Sequence, residues 1–100
     1  MKTVRYKDWE CSITIKSFAA NNRKNKCILL SDSEDGIQVA KANVYLDGLK
    51  HNEVAIDVNN CGSEMIHCLI KGGIIKDKPV NVLQSGYCQY PVYELIEESN

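Results

Sequence analysis

Four residues in the second half of the chain carry side chains suited to covalent or metal chemistry: Cys61, His67, Cys68 and Cys88. A cysteine nucleophile needs its histidine base within hydrogen-bond reach. His67 lies six positions from Cys61, whereas residues that face one another on a helix are three or four apart. The spacing therefore argues against a Cys-His pair. The same four residues are donor types that zinc prefers, but close chelating pairs are missing, and the adjacent His67 and Cys68 leave a helix in different directions. The run Ser31-Asp32-Ser33-Glu34-Asp35-Gly36 gathers carboxylates without the ligand order, central glycine and distal glutamate of a calcium loop. There is no Ser-His-Asp set, no paired-carboxylate arrangement and no glycine pattern that would cradle a phosphate. The residues predict no catalytic set, no metal and no cofactor.

Two polar or aromatic constellations remain. Asp57, Asn59 and Asn60 have short side chains that bond neighbouring backbone groups and hold a tight exit from a strand. Read functionally, they line a site at the head of a helix, where free N–H groups favour an anion. Tyr87, Tyr90 and Tyr93 fall three apart. On a strand this places Tyr87 and Tyr93 on one face and Tyr90 on the other. Tyrosine suits a protein interface because its body is apolar and its tip polar. Base stacking needs a positive groove beside the aromatic platform, and the surrounding sequence is acidic, which argues against nucleic acid.

The element that positions these residues runs from Val54 to Gly73. Val54, Ile56 and Val58 alternate as in a strand. Ser63 is placed to cap a helix. Ile66, Leu69 and Ile70 recur at helical spacing beside Met65, and Gly72-Gly73 ends the run. Upstream, Cys11, Ile13 and Ile15 alternate with Ser12, Thr14 and Lys16, and a short strand precedes them near Val4 and Tyr6. Residues 19 to 26 form a polar loop carrying Arg23, Lys24 and Lys26. Cys27 to Leu30 reads as a strand. Ile37 to Leu46 reads as one long strand whose parity slips near Ala40-Lys41, the mark of a bulge. Asp47-Gly48 turns the chain towards a strand from Glu53 to Val58. Ile74-Ile75 returns to the core, and Val80 to Leu83 is a short strand that Ser85-Gly86 breaks. Tyr87 to Ile96 is the last strand, with Pro91 marking an edge or a bulge. Glu97 to Asn100 is a solvated tail. The expected architecture is α+β: a single domain of residues 1–100, with a mainly antiparallel sheet of four to six strands and one principal helix packed on one face.

Composition fits a small globular fold. The 100 residues include 44% hydrophobic side chains and a formal net charge of -1. Charge is uneven: residues 1 to 30 balance at +5 and residues 31 to 100 at -6. The five cysteines are odd in number and irregular in spacing, which predicts reduced thiols rather than a disulfide framework. No apolar run approaches a membrane span, and the first residues are too polar for a signal peptide. The expected location is cytoplasmic.

Asp57-Val58-Asn59-Asn60-Cys61, the glycine-terminated helix from Glu64 to Gly73, and Ser85-Gly86-Tyr87-Cys88-Gln89-Tyr90-Pro91-Val92-Tyr93 together resemble a family of small bacterial proteins. That family is encoded on conjugative elements and prophages, and its function is unknown. The resemblance covers about residues 54 to 94. It departs after Cys61, where the family often has a proline or tryptophan and this chain has Gly62-Ser63. It implies a mobile-element or prophage origin and no enzyme activity. The functional expectation is an accessory protein that binds a host protein, as an anti-defence inhibitor of the anti-CRISPR kind would. Tyr87, Tyr90 and Tyr93 are the expected contact residues, with Asn59 and Asn60 beside them. Asp57, Cys61, Ser63, Ser85, Gly86, Cys88 and Pro91 form the supporting motifs. The alternatives are a pocket for a small anionic metabolite or nucleotide signal at the helix start, and a homodimer closed by the same surface.

Overall fold

Period-two alternation builds four successive strands in the first half of the chain: β1 (Thr3–Tyr6), β2 (Trp9–Ser17), β3 (Lys26–Asp32) and β4 (Gln38–Lys41). They pair antiparallel in the order β1-β2-β3-β4. The computed structural model describes residues 3–17, 25–50 and 52–96. Of the expected polar loop from Ala19 to Lys26, residues 19 to 24 lie outside the described residues, as does the tail from Glu97 to Asn100, and Lys26 opens β3 instead of closing the loop. The second sheet contains β5 (Asn43–Val44), β6 (Glu53–Ile56), β7 (Asn81–Ser85) and β8 (Cys88–Glu94), in the order β5-β6-β8-β7 and again antiparallel. Two helices separate β6 from β7: the single turn α1 (Val58–Cys61) and the longer α2 (Glu64–Lys71). The α+β class, the antiparallel pairing and the one principal helix agree with the sequence pattern. The strands divide between two sheets instead of forming one.

The division occurs inside the stretch that reads as one long strand. Leu30 pairs with Ala40 but Ser31 pairs with Gln38, so Val39 is the extra residue of a bulge. This lies one position before the Ala40-Lys41 site that the parity slip suggests. Just beyond it the chain changes sheets at Ala42. Its N–H donates to Ile28 of β3 at 2.9 Å, and its carbonyl accepts from Asp57, after β6, at 2.9 Å. Asn43 completes the crossing. Its Oδ1 accepts from the Ile28 N–H and its Nδ2 donates to the Lys26 carbonyl, each at 2.8 Å. The side-chain amide thus stands in for a peptide group while the backbone of Asn43 pairs with Ile56 of the other sheet. The residue is only 1% exposed.

One apolar cluster joins the two sheets and the helices. Val4, Tyr6, Cys11, Ile13, Ile28 and Leu30 enter it from the first sheet, and Val54, Ile56 and Tyr93 from the second. α2 contributes Met65, Cys68 and Leu69, the face on which its apolar residues recur. Its end follows the glycine signal. Gly73 has φ 75°, its N–H donates to the Ile70 carbonyl, and the Ile74 N–H donates to Leu69, at 3.0 and 2.9 Å. This is a Schellman close, with buried Ile74 and Leu69 supplying its apolar contact. Gly72 lies so close to Val4 that an added Cβ would collide with it. Tyr6 reaches across the core, its hydroxyl donating to the Cys61 carbonyl at 2.8 Å.

Pro91 does not mark an edge, because β8 is flanked by β6 and β7. The Val92 carbonyl accepts from Val80 on the β7 side, so alternation turns the Pro91 nitrogen towards β6. The β6–β8 ladder has already ended at Ala55–Val92, and no ladder hydrogen bond is lost.

Replacing Asn43 by leucine leaves the buried Ile28 N–H and the part-buried Lys26 carbonyl without this partner. The expected cost is about 3 kcal/mol in urea unfolding. Asn43→Asp retains the acceptor but has no donor for Lys26, so it too should lower the unfolding midpoint. A midpoint unchanged in both variants contradicts the bridging role.

Candidate functional site

The two segments that carry the sequence motifs meet in space. β6 ends at Ile56, and Asp57 takes the cap position of α1. The Asp57 carbonyl accepts from the N–H groups of Asn60 at 3.3 Å and Cys61 at 2.8 Å. Its Oδ2 accepts from Asn60 Nδ2 at 2.9 Å. Asp57 is 7% exposed, and its Oδ1 is buried with no hydrogen-bond partner. Asn59, on the next turn position, donates from Nδ2 to the Gln89 carbonyl of β8 at 3.3 Å. That bond takes up a carbonyl two residues before Pro91, beyond the end of the β6–β8 ladder. Asn59 therefore stitches α1 to β8, while Asp57 and Asn60 bond each other within the cap of α1. The strand expected to run to Val58 stops two residues earlier, because Val58 already belongs to the helical turn.

Tyr90 faces this junction. Its phenol is pushed above its ordinary value, first by desolvation and then by Cys88 and Asp57, while Asn59 acts the other way. The three tyrosines do not form one surface. Tyr93 is 7% exposed and belongs to the core, which corrects its expected place among the contact residues. Strand parity predicts which residues share a face, but both faces of β8 are covered at this end. Tyr90 is half-buried. Tyr87 is not in the strand at all. It occupies the two-residue turn Gly86-Tyr87, closed by the pair Ser85 and Cys88, and its side chain is fully exposed. Gly86 takes φ 61°, the conformation that a tight hairpin requires at its first central residue.

The helix start does not offer the expected anion site. Ser63 has helical backbone angles and makes no side-chain cap bond. Gly62, at φ 76°, separates the two helices. The N–H groups of Met65, Ile66 and His67 are taken by the carbonyls of Gly62 and Ser63. Glu64 lies in the first turn with its carboxylate beside Gly62, which repels an anion. His67 is exposed, whereas Cys61 and Cys68 are buried. Among the described residues no three His, Cys, Asp or Glu side chains converge as a metal set. In the acidic run, Asp32 and Asp35 use carboxylate oxygens to accept from the N–H groups of Glu34 and Ile37, at 2.8 and 2.9 Å. These bonds shape the turn.

Sequence reasoning missed two surfaces. One is the edge of β7, where Val82 is 56% exposed and Val80 is also exposed. Only the valines within a short strand hinted at it. The other is a groove between β1 and α2 lined by Arg5, Lys7 and Lys71. Its signal was the positive balance of the first residues, which was read without a face to place it on. Among the described residues, no helix is long and apolar enough to cross a membrane.

The chain matches no protein-family model, no curated protein and no solved structure.

All five cysteines are free thiols, and four are buried. Burial is the main cause that raises Cys11, Cys27, Cys61 and Cys68, the last to about 11 from an ordinary 9.0. Cys61 also donates to the Lys41 carbonyl at 3.4 Å. A thiol-reactive dye at neutral pH should therefore label Cys88 first and the other four only on unfolding. For a group raised in the folded state, stability is full below the unfolded value and falls as pH rises towards the folded one. Unfolding midpoints should thus decline between about pH 9 and 11, with a shallower decline in Cys68→Ser at its lower overall stability.

Proposed function

We propose that this protein acts by binding another protein, through the β7–β8 hairpin. The observation that carries this reading is the β7 edge. Asn81-Val82-Leu83-Gln84-Ser85 contains no charge, yet β7 is the outer strand of its sheet. Exposed edges are normally blunted by charge, proline, bulges or shortness, because unpaired backbone groups invite another strand. Here the local devices are slight: the Val82 N–H is met by Asn81 Oδ1 at 2.8 Å, and Gln84 Nε2 donates to the Gly86 carbonyl at 3.1 Å. Val80, Val82 and Tyr87 stand exposed on the same hairpin, an apolar and aromatic set suited to the centre of an interface. Asn59 supports it from behind, since its side chain fixes α1 to β8.

The resemblance of residues 54 to 94 to proteins of conjugative elements and prophages directs the search to bacterial host proteins, nucleases of defence systems among them. A small anionic ligand is the weaker reading, given the Glu64 carboxylate at the start of α2.

The test is affinity capture from a bacterial lysate with the wild type, Tyr87→Ala and Val82→Asp, alongside light scattering for mass. A protein enriched by the wild type and reduced about tenfold or more by both variants, with thermal unfolding unchanged, supports the reading. Enrichment that neither variant alters would overturn it. A wild-type dimer that Val82→Asp converts to monomer, with no protein enriched, would replace it with the homodimer.

A further inference from the structure

We propose that the groove between β1 and α2 is a second docking site, for an acidic, extended segment of a partner protein that adds to β1 as a further strand. This surface is separate from the β7–β8 hairpin. The groove encloses about 420 Å³ and is lined by Thr3, Val4, Arg5, Lys7, Cys68, Lys71 and Gly72. Three of these side chains are cationic and none is acidic.

The backbone supplies the docking groups. β1 is the outer strand of the first sheet. Tyr6 and Trp9 close the two-residue turn Lys7-Asp8, and a two-residue turn closes on a pair whose N–H and C=O groups are exchanged. Tyr6 and Val4 therefore direct their backbone groups to β2. Thr3 and Arg5, offset by one, direct theirs outward along the groove. An arriving strand would find these groups on the edge, the mode of recognition in which main-chain bonds give affinity and flanking side chains give specificity.

Charge selects the occupant. Side chains of an added strand alternate between the two faces of the sheet. On the outer face they meet Arg5, which is exposed there with Thr3. On the inner face they meet Lys71 in the last turn of α2. Lys7 stands at the turn, its ammonium 5.3 Å from the Tyr6 ring centre. A cation on each side favours acidic residues at successive positions and repels a basic strand. Carboxylates border the region on two sides: Glu10, the cross-strand neighbour of Arg5, lines an adjoining pocket with Asp8, Asp32 and Glu34 on the β2 side of Arg5, and Glu64 lies near Tyr6 at the far end. None of them lines the groove. An extended peptide fits better than a nucleic acid, because the site offers outward backbone groups and no aromatic ring for a base to stack on.

The probe is a labelled synthetic peptide alternating glutamate with valine and threonine, followed by fluorescence anisotropy at low salt. Three controls share its length: a version with proline at alternate positions, a version with lysine for glutamate, and a single-stranded oligonucleotide of equal charge. The expected result is saturable binding of the glutamate peptide alone. It should weaken about tenfold in Arg5→Glu and in Lys71→Glu, with both variants unfolding at the wild-type temperature. Binding should also slow hydrogen exchange at the Arg5 amide. If Arg5→Glu folds poorly, Lys71→Gln and the proline peptide carry the same comparison. Absence of saturable binding, equal binding of the proline peptide, or oligonucleotide binding as tight as the peptide's would each overturn the proposal.

Discussion

The Asn43 side chain performs the work of a peptide group at the point where the chain leaves one sheet for the other. A backbone can pair with only one neighbour on each side, and at Asn43 it is committed to Ile56. The start of β3 would otherwise keep a buried donor and a part-buried acceptor without this partner. An amide side chain offers both complementary groups on one planar unit, and it meets Ile28 and Lys26 at 2.8 Å each. Ala42, next to it, divides its own two groups between the sheets. The shared core depends on this bridge, because the faces that supply Ile28 and Leu30 on one side and Val54 and Ile56 on the other are brought together there.

Much of the local structure was legible because its causes are local. The apolar recurrence in α2 and the Gly72-Gly73 close are sequence-near, and the helix and its Schellman end follow from them. The slip of parity after Val39 was readable for the same reason. What followed the slip was not, since periodicity reports an extra residue but not whether the strand stays in its sheet. α1 was hidden in Asp57-Val58-Asn59-Asn60-Cys61, where short polar side chains suit a cap and a turn equally. Tyr93 was misplaced because alternation assigns faces without saying how much of each is covered. Pro91 was misread because its missing N–H matters only where a ladder is present, and that depends on β6, distant in sequence.

The four sheet edges differ in how they are guarded. β5 is two residues long, and β4 is bulged at Val39 and ends in Lys41. β1 carries Arg5 and lies beside the basic groove. β7 is uncharged and exposed. Two edges are thus closed by shortness or irregularity, one carries a cation beside a basic groove, and one is left without charge.

The change of sheet at Ala42 also orders events in time. All strands of the first sheet come from residues 3 to 41, and all strands of the second from residues 43 to 94. During synthesis the first sheet can close its three ladders before the second has left the ribosome, since its pairings are between successive strands. Until Asn43 emerges, however, the end of β3 has no amide to bond. Until β6 and α2 follow, Ile28 and Leu30 have no cover. The nascent half is therefore a sheet with one bare apolar face, and its exposure lasts as long as the ribosome takes to deliver the next thirty or so residues, a few seconds at about 5 to 20 residues per second.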